Sequence, residues 1–315
     1  MDWTTVAVAL FMGPLDIPPI HAHAALNGRP GYVDSLLFCL DMKSRLKPST
    51  LSEGDTPACA AMSTGHTFRV ENQATVMYLK KMQRPGHLVT LEVGPGPQRR
   101  GHGGVMYVPM VALLIPFLFG RASRVIDIYL IATLLILFIS RLLSIASLRA
   151  RIAPSWRGTT DPDLRGDLLV RLSEDSYIRL TGSPEDLSAV TQGSWLSRRP
   201  ENPTLVQAID FVSQILVFVA IPMFAQINNE ARLELARSMI MGHGTLLLNN
   251  YLNKQLVMNQ RTVKMSEKLG SVKKYDGQRE MAQDLIKETG RSDFALNLDM
   301  ISPEQIGLGV GGPGE

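Results

Sequence analysis

The sequence contains few cysteines and few charged residues, and these shortages exclude several classes of protein. Two cysteines among 315 residues exclude a disulfide-rich scaffold. Charged residues make up only 19% of the chain and the formal net charge is +3, whereas disordered proteins combine low hydrophobicity with high net charge. The glycines follow no three-residue period and the apolar residues form no sustained heptad repeat, which excludes a collagen and a coiled coil.

The sequence also lacks the short motifs that mark common catalytic and binding sites. It contains no phosphate-binding glycine loop, no nucleophile elbow, no zinc-protease motif and no aspartate-rich motif for prenyl diphosphates. The six histidines form no metal-binding pattern. Nine basic and five acidic side chains in residues 254–291 are too mixed for a nucleic-acid surface. We therefore predict no catalytic residues, no cofactor, no metal and no nucleic-acid partner.

Hydrophobic residues, which make up 45% of the chain, are concentrated in a few long blocks. Residues 125–148 include only two charged side chains, Asp127 and Arg141. As a helix this block would extend about 36 Å, which is enough to cross a hydrocarbon core of about 30 Å. Residues 205–227 carry one charge, Asp210. Because a soluble helix normally keeps a polar face, both blocks are predicted to span a membrane.

Two weaker apolar blocks lie next to the strong ones. Residues 105–119 carry no charge but are short and contain two prolines, so a span and a re-entrant segment are both open. Residues 231–252 interleave apolar residues with polar ones such as His243. Paired with their neighbours, the four blocks predict two transmembrane hairpins, residues 105–148 and 205–252. The lysines and arginines beyond the hairpins place both chain ends in the cytosol.

The segment before the first hairpin, residues 1–104, is rich in turns and carries an apolar run near its start. A cleaved signal peptide and an uncleaved hydrophobic leader are both open there, because no basic residue precedes the run. Candidate short strands cover residues 67–70, 75–79 and 88–93. At the other end, residues 302–315 are glycine-rich and are predicted to be a disordered tail.

Two polar segments, residues 161–199 and 261–301, share one pattern of two short strands followed by a helix. In the first segment, Ser183 is placed to cap a helix whose first residue is a proline. In the second, residues 278–289 form a helix that Gly290 ends. The repeated pattern suggests that a hairpin and a cytosolic ββα module occur twice along the chain.

Polar side chains inside predicted spans are candidate functional residues, because a charge in lipid is costly. By the helical rise, Arg141 and Asp210 lie about 10 and 8 Å from the cytosolic surface, at depths that allow them to pair. Asp127 lies near the opposite surface, and His243 makes the fourth span polar. Two interpretations stay open: these residues hold the helices together, or they line an ion or substrate pathway.

Three stretches carry a resemblance to a group of known proteins: residues 165–170 (RGDLLV), 178–196 (IRLTGSPEDLSAVTQGSWL) and 282–295 (AQDLIKETGRSDFA). Over residues 110–301 the chain resembles filamentous-fungal integral membrane proteins of unassigned function. The resemblance implies paired spans with polar modules between and after them. It carries over no functional residue.

Taken together, the sequence predicts a mostly α, multi-pass helical membrane protein with about four spans and two small cytosolic ββα modules. The favoured function is that of a non-enzymatic scaffold or regulatory component in a membrane. Its expected partners are the lipid bilayer and either other proteins or further copies of the chain. The alternatives are a small transporter-like oligomer and an integral membrane enzyme that acts on a lipophilic intermediate of a biosynthetic pathway. Nothing in the sequence indicates the organelle.

Overall fold

The chain divides into two compact units in the computed structural model. The structure describes residues 6, 9, 11, 19–38, 48–96, 128–152, 165–196, 198, 200–267 and 271–302. The helical unit comprises Met1–Thr50, Arg99–Ala153 and Leu196–Asn253, and the sheet unit comprises Leu51–Gln98, Pro154–Trp195 and Lys254–Glu315. Each unit is therefore assembled from three segments that alternate along the sequence.

The helices are α1 (Pro19–Leu26), α2 (Pro48–Ser52), α3 (Gln73–Met82), α4 (Ile128–Arg151), α5 (Pro184–Thr191), α6 (Pro203–Gln226), α7 (Asn229–Leu252), α8 (Gln278–Thr289) and α9 (Asp293–Asn297). A short 3₁₀ helix, Tyr32–Leu36, follows α1. The strands are β1 (Ala58–Ala61), β2 (Thr67–Arg69), β3 (His87–Pro95), β4 (Gly166–Ser173), β5 (Ser176–Gly182), β6 (Gln255–Met258), β7 (Arg261–Met265) and β8 (Val272–Lys274).

The strands form one eight-stranded mixed sheet. Their order is β2-β1-β4-β5-β3-β7-β6, and β8 also pairs with β3. Neighbours are antiparallel except β3 and β5, which are parallel with His87 opposite Ser176. Because β3 pairs with β5, β7 and β8, it joins strands from all three chain segments of the sheet unit.

Helices cover both faces of the centre of the sheet. Residues 168–170 of β4 are all buried, although alternate side chains of a strand point to opposite faces. On one face Leu169 belongs to a core that includes Phe294 of α9. On the other face α5 packs against β4, with the Leu187 side chain beside Gly166. The result is a three-layer arrangement of helices, sheet and helices.

The prediction of a mostly helical multi-pass membrane protein with two separate ββα modules is wrong. The strands of the two polar segments do not form independent modules, since β3 lies between β5 and β7 in one sheet. Pairing between distant segments leaves no local sequence pattern, so each short hairpin looked complete by itself. Of the predicted spans, the two strong ones correspond to α4 and α6, which are long and apolar enough to cross a membrane.

The two weaker predicted spans have different outcomes. Residues 105–119 lie outside the residues that the structure describes. Residues 231–252 fall within α7, but that helix is not one of the two described helices that qualify by length and composition. Charged side chains recur along α7, among them Arg232, Glu234 and Arg237. Four apolar spanning helices are therefore not found among the described residues.

The local helix signals were confirmed, and of the three strands predicted before the first hairpin, residues 67–70 and 88–93 correspond to β2 and β3. Ser183 caps α5 with its side chain, and Gly290 ends α8 with a φ angle of 70°, as predicted. Residues 75–79, by contrast, belong to helix α3 and do not form a strand. Their β-branched side chains favoured a strand, but the side chain of Asn72 accepts two backbone N–H groups and starts a helix instead.

Candidate functional site

A polar cluster lies between the apolar helices α4 and α6. Asp210 of α6 is 8% exposed, and its Oδ2 accepts a 2.5 Å hydrogen bond from a terminal guanidinium nitrogen of Arg151. Arg151 also donates to Oγ of Ser147 on its own helix, at 2.7 Å. From the sequence, Arg141 lay at a depth that allowed it to pair with Asp210, but the structure gives that position to Arg151 in the last turn of α4.

Serine hydroxyls join the same two helices. Oγ of Ser140 donates to the carbonyl oxygen of Ser213 at 2.8 Å, and Oγ of Ser213 donates to the carbonyl oxygen of Ser140 at 3.0 Å. Oγ of Ser144 lies 2.8 Å from Oγ of Ser213. Small hydroxyl residues let helix backbones approach closely and supply hydrogen bonds where few other polar groups are available. The helix contact is therefore polar at its centre.

A cavity of about 50 Å³ adjoins this cluster. Its walls come from α1, the 3₁₀ helix, α4 and α6, and its charged lining consists of Arg141, Arg151, Asp34 and Asp210. A cavity needs about 10–15 Å³ for each enclosed water, so this one has room for roughly three to five water-sized groups. The cavity brings Arg141 and Asp210 together, whereas His243 is not among its lining residues.

Arg141 is buried in this cavity, where two carboxylates also line the wall, and it forms no ion pair in the described part of the chain. The residue is 4% exposed, and its Nε has no hydrogen-bond partner there. Both carboxylates of the cavity lining engage other groups. Asp210 pairs with Arg151, and Oδ2 of Asp34 accepts the backbone N–H of Gly31 at 2.7 Å. The charged lining of the cavity is therefore formally balanced, with two arginines and two aspartates.

His21 of α1 forms the neutral part of the cavity wall. It is 8% exposed, and burial together with the positive charge of Arg141 lowers the pKa of its imidazole to about 3. A histidine with this pKa is uncharged at physiological pH. The cavity is thus positive at Arg141 without a second cation at His21.

Two polar residues near the end of α7 contact α1. The side-chain amide of Asn250 donates to the carbonyl oxygen of Pro19 at 2.7 Å, and that of Asn249 lies 3.3 Å from Nδ1 of His23. His243 lies on the same helix, half-buried, and its Nδ1 has no hydrogen-bond partner among the described residues. Asp127, the remaining residue singled out in the sequence, lies outside the described residues.

Metal and thiol chemistry find little support in the described part of the chain. No group of three or more histidine, cysteine or acidic side chains is arranged there to hold a metal ion. Cys59 is fully buried in β1, and burial raises the pKa of its thiol to about 12. A thiol with so high a pKa is a poor nucleophile at neutral pH.

Comparison with known proteins assigns the chain to no family. No protein-family model, curated protein or solved structure matches the chain. The resemblance to filamentous-fungal membrane proteins therefore stays a prediction.

Sequence reasoning found two members of the cavity, Arg141 and Asp210, and missed others. Arg151 was counted only among the loop charges that orient the spans, because it follows the apolar block. Ser140 and Ser144 carried a usable signal, since hydroxyl residues four apart lie on one face of a helix. His21 belongs to a separate chain segment, and no local pattern linked it to α4.

Proposed function

We propose that the chain is an integral membrane protein whose helical unit is embedded in a bilayer and whose sheet unit acts as a non-enzymatic scaffold or regulatory domain. The observation that carries the membrane location is the surface of α4 and α6. Only 33% of the most apolar window of each helix is buried. A core helix of a soluble protein would be mostly buried.

The exposed faces of these helices are apolar along their length. On α4, Ile131, Leu135 and Ile139 are 37%, 54% and 45% exposed and recur every four residues. On α6, Phe211 and Phe218 are 65% and 47% exposed. Soluble monomers rarely expose continuous apolar surface of this extent, whereas lipid-facing helices do so as a rule.

The polar residues of α4 and α6 are distributed in the opposite way. Arg141, Asp210, Ser140 and Ser213 are buried, while large apolar side chains face outward. Ionisable residues in membrane segments normally face the protein interior and pair there. This inverted distribution supports lipid as the solvent of the helical unit.

Chain connectivity limits how the helical unit enters a bilayer. The chain leaves the sheet unit after β3 and returns at β4, then leaves after α5 and returns at β6. Since all these strands pair in one sheet, they lie on one side of any membrane. Each helical insertion is therefore expected to begin and end on the same side of the bilayer.

The membrane location predicts that lysines placed on the apolar face release the protein from membranes. In the double variant Leu135→Lys/Phe211→Lys, each lysine is expected to oppose insertion by about 2.5–3.5 kcal/mol. Retention of the full-length protein in the membrane pellet after an alkaline carbonate wash measures the effect. Gln283→Lys, which adds a lysine at an exposed position of α8, should stay in the pellet. Wild-type protein in the supernatant would contradict the proposal.

Because one sheet joins three chain segments, we predict that exposed positions on all three are accessible from the same side of the membrane. Single cysteines in place of Arg84, Glu174 and Lys287 should all react with a membrane-impermeant maleimide from the same side of sealed vesicles. Cys39 is replaced by serine in this background, whereas Cys59 can stay because it is buried. Labelling of one site from the opposite side would show that the sheet does not form in the membrane-bound protein.

The transporter-like alternative has one supporting observation, the charged cavity between membrane helices. That alternative expected His243 beside Arg141 and Asp210, and His243 is not part of the lining. An integral membrane enzyme would need acidic groups free to act on a substrate, yet Asp210 is held by Arg151. The scaffold proposal needs neither feature and is preferred.

A further inference from the structure

A short exposed segment of the helical unit lies beside the last turn of α4 and has the chemistry of a membrane interface. We propose that the 3₁₀ helix Tyr32–Leu36 anchors the protein in the headgroup layer of the bilayer, with Tyr32, Val33 and Arg149 as the side chains that meet lipid. The anchor rests on the proposed membrane location. It adds a lipid contact outside α4 and α6 and fixes the level of the headgroups along α4.

The 3₁₀ helix turns its apolar side chains outward and its polar ones inward. Tyr32 and Val33 are 53% and 55% exposed, whereas Asp34 and Ser35 are buried. A surface that faces water normally has the opposite distribution. A tyrosine suits the boundary between lipid and water, because its ring is apolar and its hydroxyl is polar.

Positive charges accompany the exposed tyrosine. The guanidinium carbon of Arg149 lies 4.5 Å from the centroid of the Tyr32 ring, and Arg149 also donates to the carbonyl oxygen of Pro30 at 2.6 Å. These contacts hold the segment against the last turn of α4. Arg29, in the same segment, is exposed. Because basic side chains are attracted to anionic headgroups and tyrosines are enriched at the same level, the combination indicates the headgroup layer and not the hydrocarbon core.

The length of α4 agrees with this level. Tyr129, which is 44% exposed, lies in the first turn of α4, and Arg149 lies in the last turn. At a rise of about 1.5 Å per residue the two positions are about 30 Å apart along the helix axis, which is the usual thickness of a hydrocarbon core. A tyrosine therefore marks each end of the apolar face of α4. Ile139, which is 45% exposed, lies halfway between the two levels.

Continuity with the apolar face of α4 favours lipid as the occupant. Among the described residues, the exposed large apolar side chains of α4 end at Ile139. Further along, Pro30 and Asp34 line one cavity together with Leu148 of α4, so the segment covers the last turns of the helix. Tyr32 and Val33 are on its outside and extend the apolar surface toward the end of α4.

Spin labels on the full-length protein in vesicles of phosphatidylcholine and phosphatidylserine measure the depth of each position. Single cysteines replace Val33, Ile139 and Gln283, with Cys39 changed to serine and the buried Cys59 kept. Paramagnetic resonance compares the accessibility of each label to oxygen, which concentrates in the bilayer centre, and to a water-soluble nickel chelate. We expect the label at 139 about 15 Å below the headgroup level, half the thickness of the core. The label at 33 should lie at that level, and the label at 283 in water.

Arg149→Gln tests whether the arginine holds the anchor. In the Val33→Cys background it should raise the accessibility of the label to the nickel chelate, whereas the label at 139 should keep its depth. Arg237→Gln is the matched control, since it removes the same charge from a side chain that is 60% exposed on α7, and it should leave the depth at 33 unchanged. If Ile139→Cys fails to fold, Leu135→Cys takes its place, with its label about 6 Å nearer the Tyr129 level.

The anchor and the membrane location fail in different ways. A deep label at 139 with a label at 33 as aqueous as that at 283 would keep the membrane location and remove the anchor. A label at 33 as deep as that at 139 would also overturn the anchor. So would a label at 33 that is shielded from both reagents, because a protein partner would then cover the 3₁₀ helix. An aqueous label at 139 would remove the membrane location and the anchor with it.

Discussion

Replacing Asp186 with alanine is expected to lower the free energy of unfolding of the sheet unit by about 3–5 kcal/mol. Asp186 lies in the first turn of α5, and its carboxylate pairs with Nε of Arg261 on β7. The two side chains are only 9% and 16% exposed, so the variant leaves a guanidinium that is largely buried without its partner. A carboxylate near a helix N-terminus is also favoured by the helix dipole. Hydrogen exchange of the β4 and β5 amides in the full-length protein measures the change.

A surface ion pair close to the same strand provides the control. Lys264 and Glu267 pair at 2.7 Å, but their side chains are 38% and 83% exposed. Glu267→Ala should therefore leave the hydrogen exchange of the β4 and β5 amides close to that of the wild type. The double variant Asp186→Ala/Arg261→Met should be more stable than Asp186→Ala alone, because no unpaired charge stays buried. Equal losses for Asp186→Ala and Glu267→Ala would show that the buried pair does not hold α5 to β7.

The parts of the fold that the sequence predicted are those decided by neighbouring residues. The apolar blocks around Arg141 and Asp210 became α4 and α6, and helix ends at Ser183 and Gly290 lay where capping chemistry placed them. The sheet could not be predicted in the same way. Its parallel pair, β3 with β5, is joined through a whole segment of the helical unit, and a parallel pair of strands always needs such a long crossover.

The candidate site, too, could be predicted from the sequence only in part. Arg141 was recognisable because it interrupts an apolar block, and an ionisable residue in such a block is rare. Its surroundings depend on residues from separate chain segments, such as His21 and Asp34, which only the packing of α1 and the 3₁₀ helix brings to α4. The choice of Arg151 over Arg141 as partner of Asp210 is likewise a matter of helix packing. Depth along the helix axis was a wrong guide, because it placed Asp210 level with Arg141 and not with Arg151, ten residues further along α4.

Replacing Gly242 with alanine is expected to destabilise the helical unit by about 1–3 kcal/mol, the usual range for overpacking. A Cβ atom at this position of α7 would clash with the backbone carbonyl oxygen of Phe38. A backbone atom cannot turn aside as a flexible side chain can, so α7 or the segment around Phe38 must shift. Phe38 is 4% exposed and belongs to the core shared by α4, α6 and α7, which leaves little room for that movement.

Gly244 provides a matched control two residues further along the same helix. A Cβ atom there would meet nothing within 4 Å, so Gly244→Ala gains helix propensity without a clash and should stabilise by up to about 1 kcal/mol. The two substitutions make the same chemical change on one helix and should shift the melting temperature of the detergent-solubilised protein in opposite directions. A rise in both variants would mean that α7 does not pack against Phe38. A fall in both would mean that α7 tolerates no added methyl group on either side, and the close approach at Gly242 would then lose its special role.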